Sequence, residues 1–174
     1  MAIIPAILDK IGFLRNNLLT SKETTTNFPD FLGIGAQKSG TTWLYKNLRK
    51  HPQLYLPETK EIHYFDWYFY KSINWYYKYF KGAKKKQVTG EITPCYSTLS
   101  ERKIKLIHKM NPDFLFFTGD AADGSVKSFG KYLTSLSEIK PKYGKFFVTG
   151  NHEYYSDMNG WLRLIENLGF KILI

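Results

Sequence analysis

Residues 31–50 read FLGIGAQKSGTTWLYKNLRK, and the fold turns on this stretch. Phe31–Gly35 is a short apolar run of strand length. Gly35 to Thr42 is a loop of small and hydroxylated residues around one lysine. From Thr41 to Lys50 the pattern is helical, and His51-Pro52 closes it because the residue before proline disfavours helix. A strand, a glycine-bearing loop and a helix in that order make an anion cradle. Small residues let backbone N–H groups approach closely, and the helix N-terminus adds partial positive charge. Lys38 can neutralise a phosphate, while the hydroxyls of Ser39, Thr41 and Thr42 can donate to its oxygens. The usual nucleotide triphosphatase loop ends in Gly-Lys-Ser/Thr. Here the lysine precedes Gly40, and two threonines follow it. The plainer alternative is a glycine-rich turn with a solvated lysine.

Working outward, the alternation continues. A short strand is expected at Val88–Glu91, a helix at Glu101–Met110 and a buried strand at Phe114–Thr118. Phe129–Ile139 reads as helical, Lys145–Thr149 as a strand, Asp157–Leu168 as a helix stopped by Gly169, and Phe170–Ile174 as a last strand. Strands alternating with helices predict an α/β fold with a mainly parallel sheet. Before the first strand, Ile3, Ile4, Ile7, Leu8, Ile11, Leu14 and Leu18 recur at helical spacing, predicting an amphipathic helix over about 5–19. It packs on the domain or lies on a membrane surface or partner. Three segments result: 1–29 (helix and polar linker), 30–112 and 113–174.

Composition separates the last two. The 174 residues carry a formal charge of +10. Residues 1–112 hold 18 basic against 8 acidic side chains, and residues 113–174 hold 7 of each. The excess favours an anionic partner for the first part. Residues 62–80 contain 11 aromatics, read as a core wall rather than a base-stacking platform for nucleic acid. Cys95 is the single cysteine, so no internal disulfide forms. With neither a signal peptide nor a transmembrane run in view, the expected location is cytoplasmic.

Ala36-Gln37-Lys38-Ser39-Gly40-Thr41-Thr42-Trp43-Leu44 resembles the 5′-phosphosulfate loop of sulfotransferases that use 3′-phosphoadenosine-5′-phosphosulfate (PAPS). Further segments follow in that family's order: His51-Pro52, Lys60-Glu61-Ile62-His63-Tyr64-Phe65-Asp66, Trp75-Tyr76, and Gly90-Glu91-Ile92-Thr93-Pro94-Cys95-Tyr96. The resemblance covers about residues 30–112. It implies that Lys38, Ser39, Gly40, Thr41 and Thr42 hold the donor. Glu61 would be the general base toward a hydroxyl acceptor such as a carbohydrate, and Lys38 would stabilise the leaving phosphate. His63 and Asp66 would orient the base or the acceptor. A solvated Lys60–Glu61 pair is the plainer reading of Glu61. Some relatives have lysine where Ile92 stands. The arginine-rich turn and later serine that grip the donor's 3′-phosphate have no match in Phe114–Gly124, so activity would be impaired.

From Asn111 the likeness changes. Thr118-Gly119-Asp120-Ala121-Ala122-Asp123 resembles the Gly-Asp-x-x-Asp motif of calcineurin-like metallophosphoesterases. Thr149-Gly150-Asn151-His152-Glu153 resembles their Gly-Asn-His-Asp/Glu motif. This likeness covers about 111–174. It implies metal ligation by Asp120 and Asn151, leaving-group protonation by His152, and a divalent cofactor such as Mn or Fe. The family's first motif, an Asp-x-His after the opening strand, has no counterpart, and its later histidines would fall beyond residue 174. Both active sites therefore read as incomplete, in a chain that joins two families at about 108–114. There Phe114–Thr118 is expected to enter the same sheet as Phe31–Gly35. The leading functional expectation is a sulfotransferase-like protein. The alternatives are a metal-dependent phosphoesterase or a non-catalytic nucleotide- or anion-binding module.

Overall fold

A computed structural model describes residues 28–173. The helix expected over 5–19, and most of the linker after it, lies outside these residues. The elements are β1 (Phe31–Gly35), α1 (Thr41–Leu48), β2 (Leu54–Tyr55), α2 (Ile73–Tyr77), β3 (Val88–Ile92), α3 (Glu101–Lys109) and β4 (Phe114–Phe117). They continue with α4 (Val126–Phe129), β5 (Lys145–Phe147), α5 (Asn151–Ser156), α6 (Met158–Asn167) and β6 (Phe170–Ile172).

The strands form one six-stranded sheet in the order β2-β3-β1-β4-β5-β6, and every pairing is parallel. The chain first builds the β3 side of β1, then crosses to the β4 side. In such sheets ligands bind outside the carboxyl ends of the strands where the winding reverses. Here that crevice lies beside β1, at the start of the AQKSGTT loop. Phe31 pairs with Gly90 on one side and Phe114 on the other. Gly90 has to be glycine, because a Cβ there would collide with the Phe31 ring. The expectation that Phe114–Thr118 enters the sheet of β1 holds: β4 pairs with β1 from Phe31–Phe114 to Gly35–Phe117.

Side chains alternate across the sheet as the strand period of two requires. Leu32, Ile34, Leu115, Phe117 and Phe147 point into the larger core, which α3 fills with Ile104 and Ile107 and α6 with Trp161 and Ile165. Phe31, Ile92, Phe114 and Phe116 point the other way, where α1 contributes Leu44, Tyr45 and Leu48. The aromatic segment forms the wall of the larger core: Tyr64, Phe65, Phe69 and Tyr76 are fully or almost fully buried, with Tyr64 and Tyr76 stacked at 4.7 Å.

Several boundaries differ from expectation. The helix predicted over Phe129–Ile139 is instead α4 followed by 3₁₀ turns at Gly130–Tyr132 and Thr134–Glu138. Its buried residues Leu133, Leu136 and Ile139 recur every three positions. That spacing suits a 3₁₀ turn, where i and i+3 eclipse, better than an α-helix. The short β2, α2 and α5 were not foreseen. The helix start expected at Asp157 is the N-cap of α6, its carboxylate accepting from Gly160 N–H at 3.0 Å.

Candidate functional site

The loop after β1 leaves the sheet at its carboxyl edge. Gly40 is the N-cap of α1 at φ +74°, with no side chain capping the helix. That conformation belongs to glycine, and the first α1 N–H groups therefore face outward without a side-chain acceptor. Lys38 is exposed and also has positive φ. The base of the loop is tied to β4. Ala36 N–H donates to Gly119 O at 3.2 Å, Thr118 N–H to Gly35 O at 2.7 Å, and the Ser39 and Thr118 hydroxyls are 2.6 Å apart. Ser39 Oγ also donates to Ala36 O at 2.7 Å. Ser39 is thus engaged in holding the loop. Lys38, Gly40, Thr41 and Thr42 line a cleft of about 420 Å³ together with Lys60 and Glu61.

Glu61 lines that cleft, with His63 beside it, and a polar network lies beneath this segment. Buried Glu91 on β3 accepts from the Thr93 hydroxyl at 2.7 Å, from the Tyr96 hydroxyl at 2.9 Å, and from Tyr76. The Tyr96 oxygen in turn accepts the Tyr64 N–H at 2.8 Å. Glu61 N–H donates to Ile92 O at 3.2 Å. Glu61 and His63 both adopt positive φ. Burial raises the Glu91 carboxyl to about 7, against the pull of its three hydroxyl donors. Glu61 forms an ion pair with Lys60 and lies 3.5 Å from His63 Nε2. His63 Nδ1 is 2.7 Å from Asp66 Oδ2, and Trp67 stacks on the ring at 3.8 Å.

The second motif region meets the first at the same edge. After β4, Gly119 turns at φ +82° and Asp120 at +52°. After β5, Gly150 begins α5, which carries Asn151, His152 and Glu153. Glu153 is fully buried and collects three backbone donors: Asp120 N–H at 3.0 Å, Ala121 N–H at 2.7 Å and Gly150 N–H at 2.7 Å. Asp120 Oδ1 accepts from His152 N–H at 3.0 Å, so the carboxylate sits on the α5 N-terminus. It lies over Gly150, where any Cβ would collide with it. His152 Nδ1 is 3.1 Å from Asp123 Oδ1. Asp120, Asp123 and His152 line a cleft of about 520 Å³ with Gln37, Lys38 and Cys95.

The structure thus brings Lys38, Asp120 and His152 to one cleft, and Glu61 to its neighbour, with Lys38 and Gln37 bordering both. Asn151 is exposed at the first turn of α5 and does not line the cleft. Sequence reasoning assigned no part to Gln37, Asp123 or Glu153. The second aspartate of Gly-Asp-x-x-Asp was the available signal for Asp123. Nothing in the sequence shows that Glu153 folds inward.

A two-metal phosphoesterase centre needs several carboxylate, histidine and asparagine ligands converging on two ions. The described residues do not fit one. Asp120 is engaged by the α5 N-terminus, Asn151 points elsewhere than the cleft lining, and Asp120, Asp123 and His152 do not converge as a ligand group. Among the described residues the only triad of potential His, Cys, Asp or Glu ligands is His63, Asp66 and Cys95.

Comparison with known proteins places these observations. The calcineurin-like phosphoesterase family profile matches residues 62–172. The likeness expected only from residue 111 onward therefore reaches back through the aromatic segment and continues across the join expected at 108–114. An uncharacterized metallophosphoesterase of Aquifex aeolicus (strain VF5) is 32% identical over 97 residues, covering 53% of this chain and 37% of the relative. The membrane-associated sulfotransferase kil1 of Dictyostelium discoideum is 44% identical over 71 residues, 39% of this chain and 15% of that protein. In structure, the chain resembles a sulfotransferase from Alicyclobacillus acidocaldarius with a TM-score of 0.51 at 18% identity, covering 85% of this chain and 73% of the other, a likeness of fold. The chain spans between 15% and 37% of the length of the curated relatives it matches. No helix among the described residues is long and apolar enough to cross a membrane. The family match runs over well more than half of the sequence, and the chain belongs to the calcineurin-like phosphoesterase family.

Proposed function

We propose that this chain binds the phosphoryl group of a phosphoester in the cleft between the Lys38 loop and the Asp120–His152 corner. The observation that carries the reading is that Lys38 borders two adjoining clefts, one holding the uncapped α1 N-terminus and the other lined by Asp120, Asp123 and His152. The cradle supplies what a phosphate dianion needs: outward N–H groups, the Thr41 and Thr42 hydroxyls, and an ammonium group. His152 is oriented by Asp123 through Nδ1, which leaves Nε2 as the ring nitrogen able to pass a proton to a leaving oxygen. Binding is the part of phosphoesterase chemistry that these residues serve. Family members employ divalent metal ions, and the described ligands do not assemble the pair.

A second reading is favoured by the Glu61–Lys38 cleft and the likeness to kil1. In it the loop holds the 5′ side of PAPS, and Glu61 takes the proton of a hydroxyl acceptor, such as a carbohydrate.

The test is thermal shift with inorganic phosphate and with 3′-phosphoadenosine-5′-phosphate on wild type, Lys38→Ala and Glu61→Gln. A ligand that binds only the folded state raises the Tm by mass action. A dose-dependent rise with both ligands, lost in Lys38→Ala and kept in Glu61→Gln, is the expected result. A rise with the nucleotide alone, accompanied by sulfonate transfer from PAPS that Glu61→Gln abolishes, would favour the second reading. No rise at millimolar ligand would remove both. Manganese-dependent hydrolysis of nitrophenyl phosphate would show that a working metal centre assembles after all.

A further inference from the structure

We propose that His63, Asp66 and Cys95 form a three-ligand binding site for a borderline-soft divalent transition ion such as Zn²⁺, beside the cleft that Cys95 shares with Lys38 and Asp120. The ligand atoms of these three residues lie within 4.8 Å of one another. A tetrahedral ion with bonds of about 2.0–2.3 Å sets its ligands roughly 3.3–3.8 Å apart, so small side-chain rotations suffice. The donor set of imidazole, thiolate and carboxylate suits zinc and its neighbours, and three protein ligands with one vacancy is the arrangement of reactive rather than purely structural zinc sites.

The surroundings are those of a built site. His63 is buried, and Trp67 stacks on its ring at 3.8 Å. With Nδ1 turned toward Asp66, Nε2 lies 3.5 Å from Glu61 Oε2, the outer carboxylate that fixes the tautomer of a metal-bound histidine. Asp66 Oδ1 is held by Trp67 N–H at 2.9 Å, leaving Oδ2 to face His63. Burial pushes the Cys95 thiol up, and the Gln37 amide, donating to Sγ at 3.0 Å, offsets part of that rise. On binding, the Cys95 thiol gives up its proton to solvent, the sulfur–metal bond forms, and one thiolate and one carboxylate balance the ion's two charges. None of the three residues belongs to the phosphoesterase motifs around Asp120 and His152. The site lies outside those two motifs, though within the residues that the family profile matches.

The experiment is Co²⁺ and Zn²⁺ titration of the chelator-treated full chain, alongside Cys95→Ser, Asp66→Asn and Asp120→Asn. One equivalent of Co²⁺ should produce thiolate-to-cobalt charge-transfer absorption that Zn²⁺ displaces. Cys95→Ser should lose the band, and both Cys95→Ser and Asp66→Asn should weaken Zn²⁺ binding at least about tenfold. Zn²⁺ should also slow alkylation of Cys95, the single cysteine, about tenfold in wild type. Asp120→Asn should leave all of this unchanged. Circular dichroism on each metal-free variant separates lost ligation from lost fold. The proposal is overturned if wild type shows neither band nor protection, if folded Cys95→Ser binds Co²⁺ as wild type does, or if Asp120→Asn abolishes binding. Phosphate binding through Lys38 is measured without metal, so either idea can fail alone.

Discussion

The loop after β1 and the corner formed after β4 and β5 sit side by side on one sheet edge, yet they use their polar groups in opposite ways. The first holds only its base. Ser39 and Thr118 lock it to β4, while Lys38 and the α1 N-terminus stay available. The second turns its groups on itself. Glu153 takes three N–H donors, and Asp120 caps α5. A motif can thus survive as sequence while its side chains serve mainly to hold two loops together. The loop after β1 is the part of this edge whose helix N-terminus has no side-chain cap.

Substitutions can sharpen or break this contrast. The largest effect is expected from Glu153→Ala, which strands three buried donors and should cost on the order of 4 kcal/mol, read as a lower urea midpoint. Glu153→Gln, which keeps one acceptor oxygen, should lose less. If Glu153→Ala unfolds at the wild-type midpoint, the corner is not the structural clamp described here.

Next comes Glu91, beneath the first region. Its folded-state pKa of about 7 lies above the ordinary carboxylate value of 4.5. Between these values the folded protein binds the extra proton, so stability is fully present below about pH 4.5 and falls as pH rises through 7. A shift of this size corresponds to about 3 kcal/mol, and Glu91→Gln should flatten that part of the pH–stability curve. An unchanged slope in the variant would reject this account of the buried network.

Gly40→Ala should cost about 1 kcal/mol from its left-handed φ alone, since no atom crowds the position. The smallest effect on stability is expected for exposed Lys38→Ala, within about 0.5 kcal/mol of wild type by thermal unfolding. Equal stability with phosphate binding lost would mark Lys38 as a ligand group, whereas a large destabilisation would count against an open loop.

The α/β class and parallel sheet were legible in the sequence because each strand is an apolar run bounded by glycine, proline or a polar turn. The β1 loop was legible for the same local reason: strand, small residues and helix lie within twelve positions of each other. The 3₁₀ turns after Phe129 were not, since a three-residue period differs little from 3.6 over so short a span. The inward turn of Glu153 was hidden as well, because two of its three donors, Asp120 and Ala121, lie over thirty residues away in the chain. The proximity of His63 and Cys95 was equally unreadable: Tyr96 and Glu91 create it through tertiary contacts. The calcineurin-like profile begins at residue 62, within the aromatic wall, where no phosphoesterase motif is legible in the sequence.

The central position of β1 also bears on how the chain is made. Phe31 rests between Gly90 and Phe114, and neither neighbour exists when it leaves the ribosome. At synthesis rates of about 5–20 residues per second, the first of them follows on the order of three to twelve seconds later. Throughout that interval one of the most apolar strands of the protein, Phe31–Gly35, has no sheet to join. Early in synthesis, this strand is where a chaperone would find its grip.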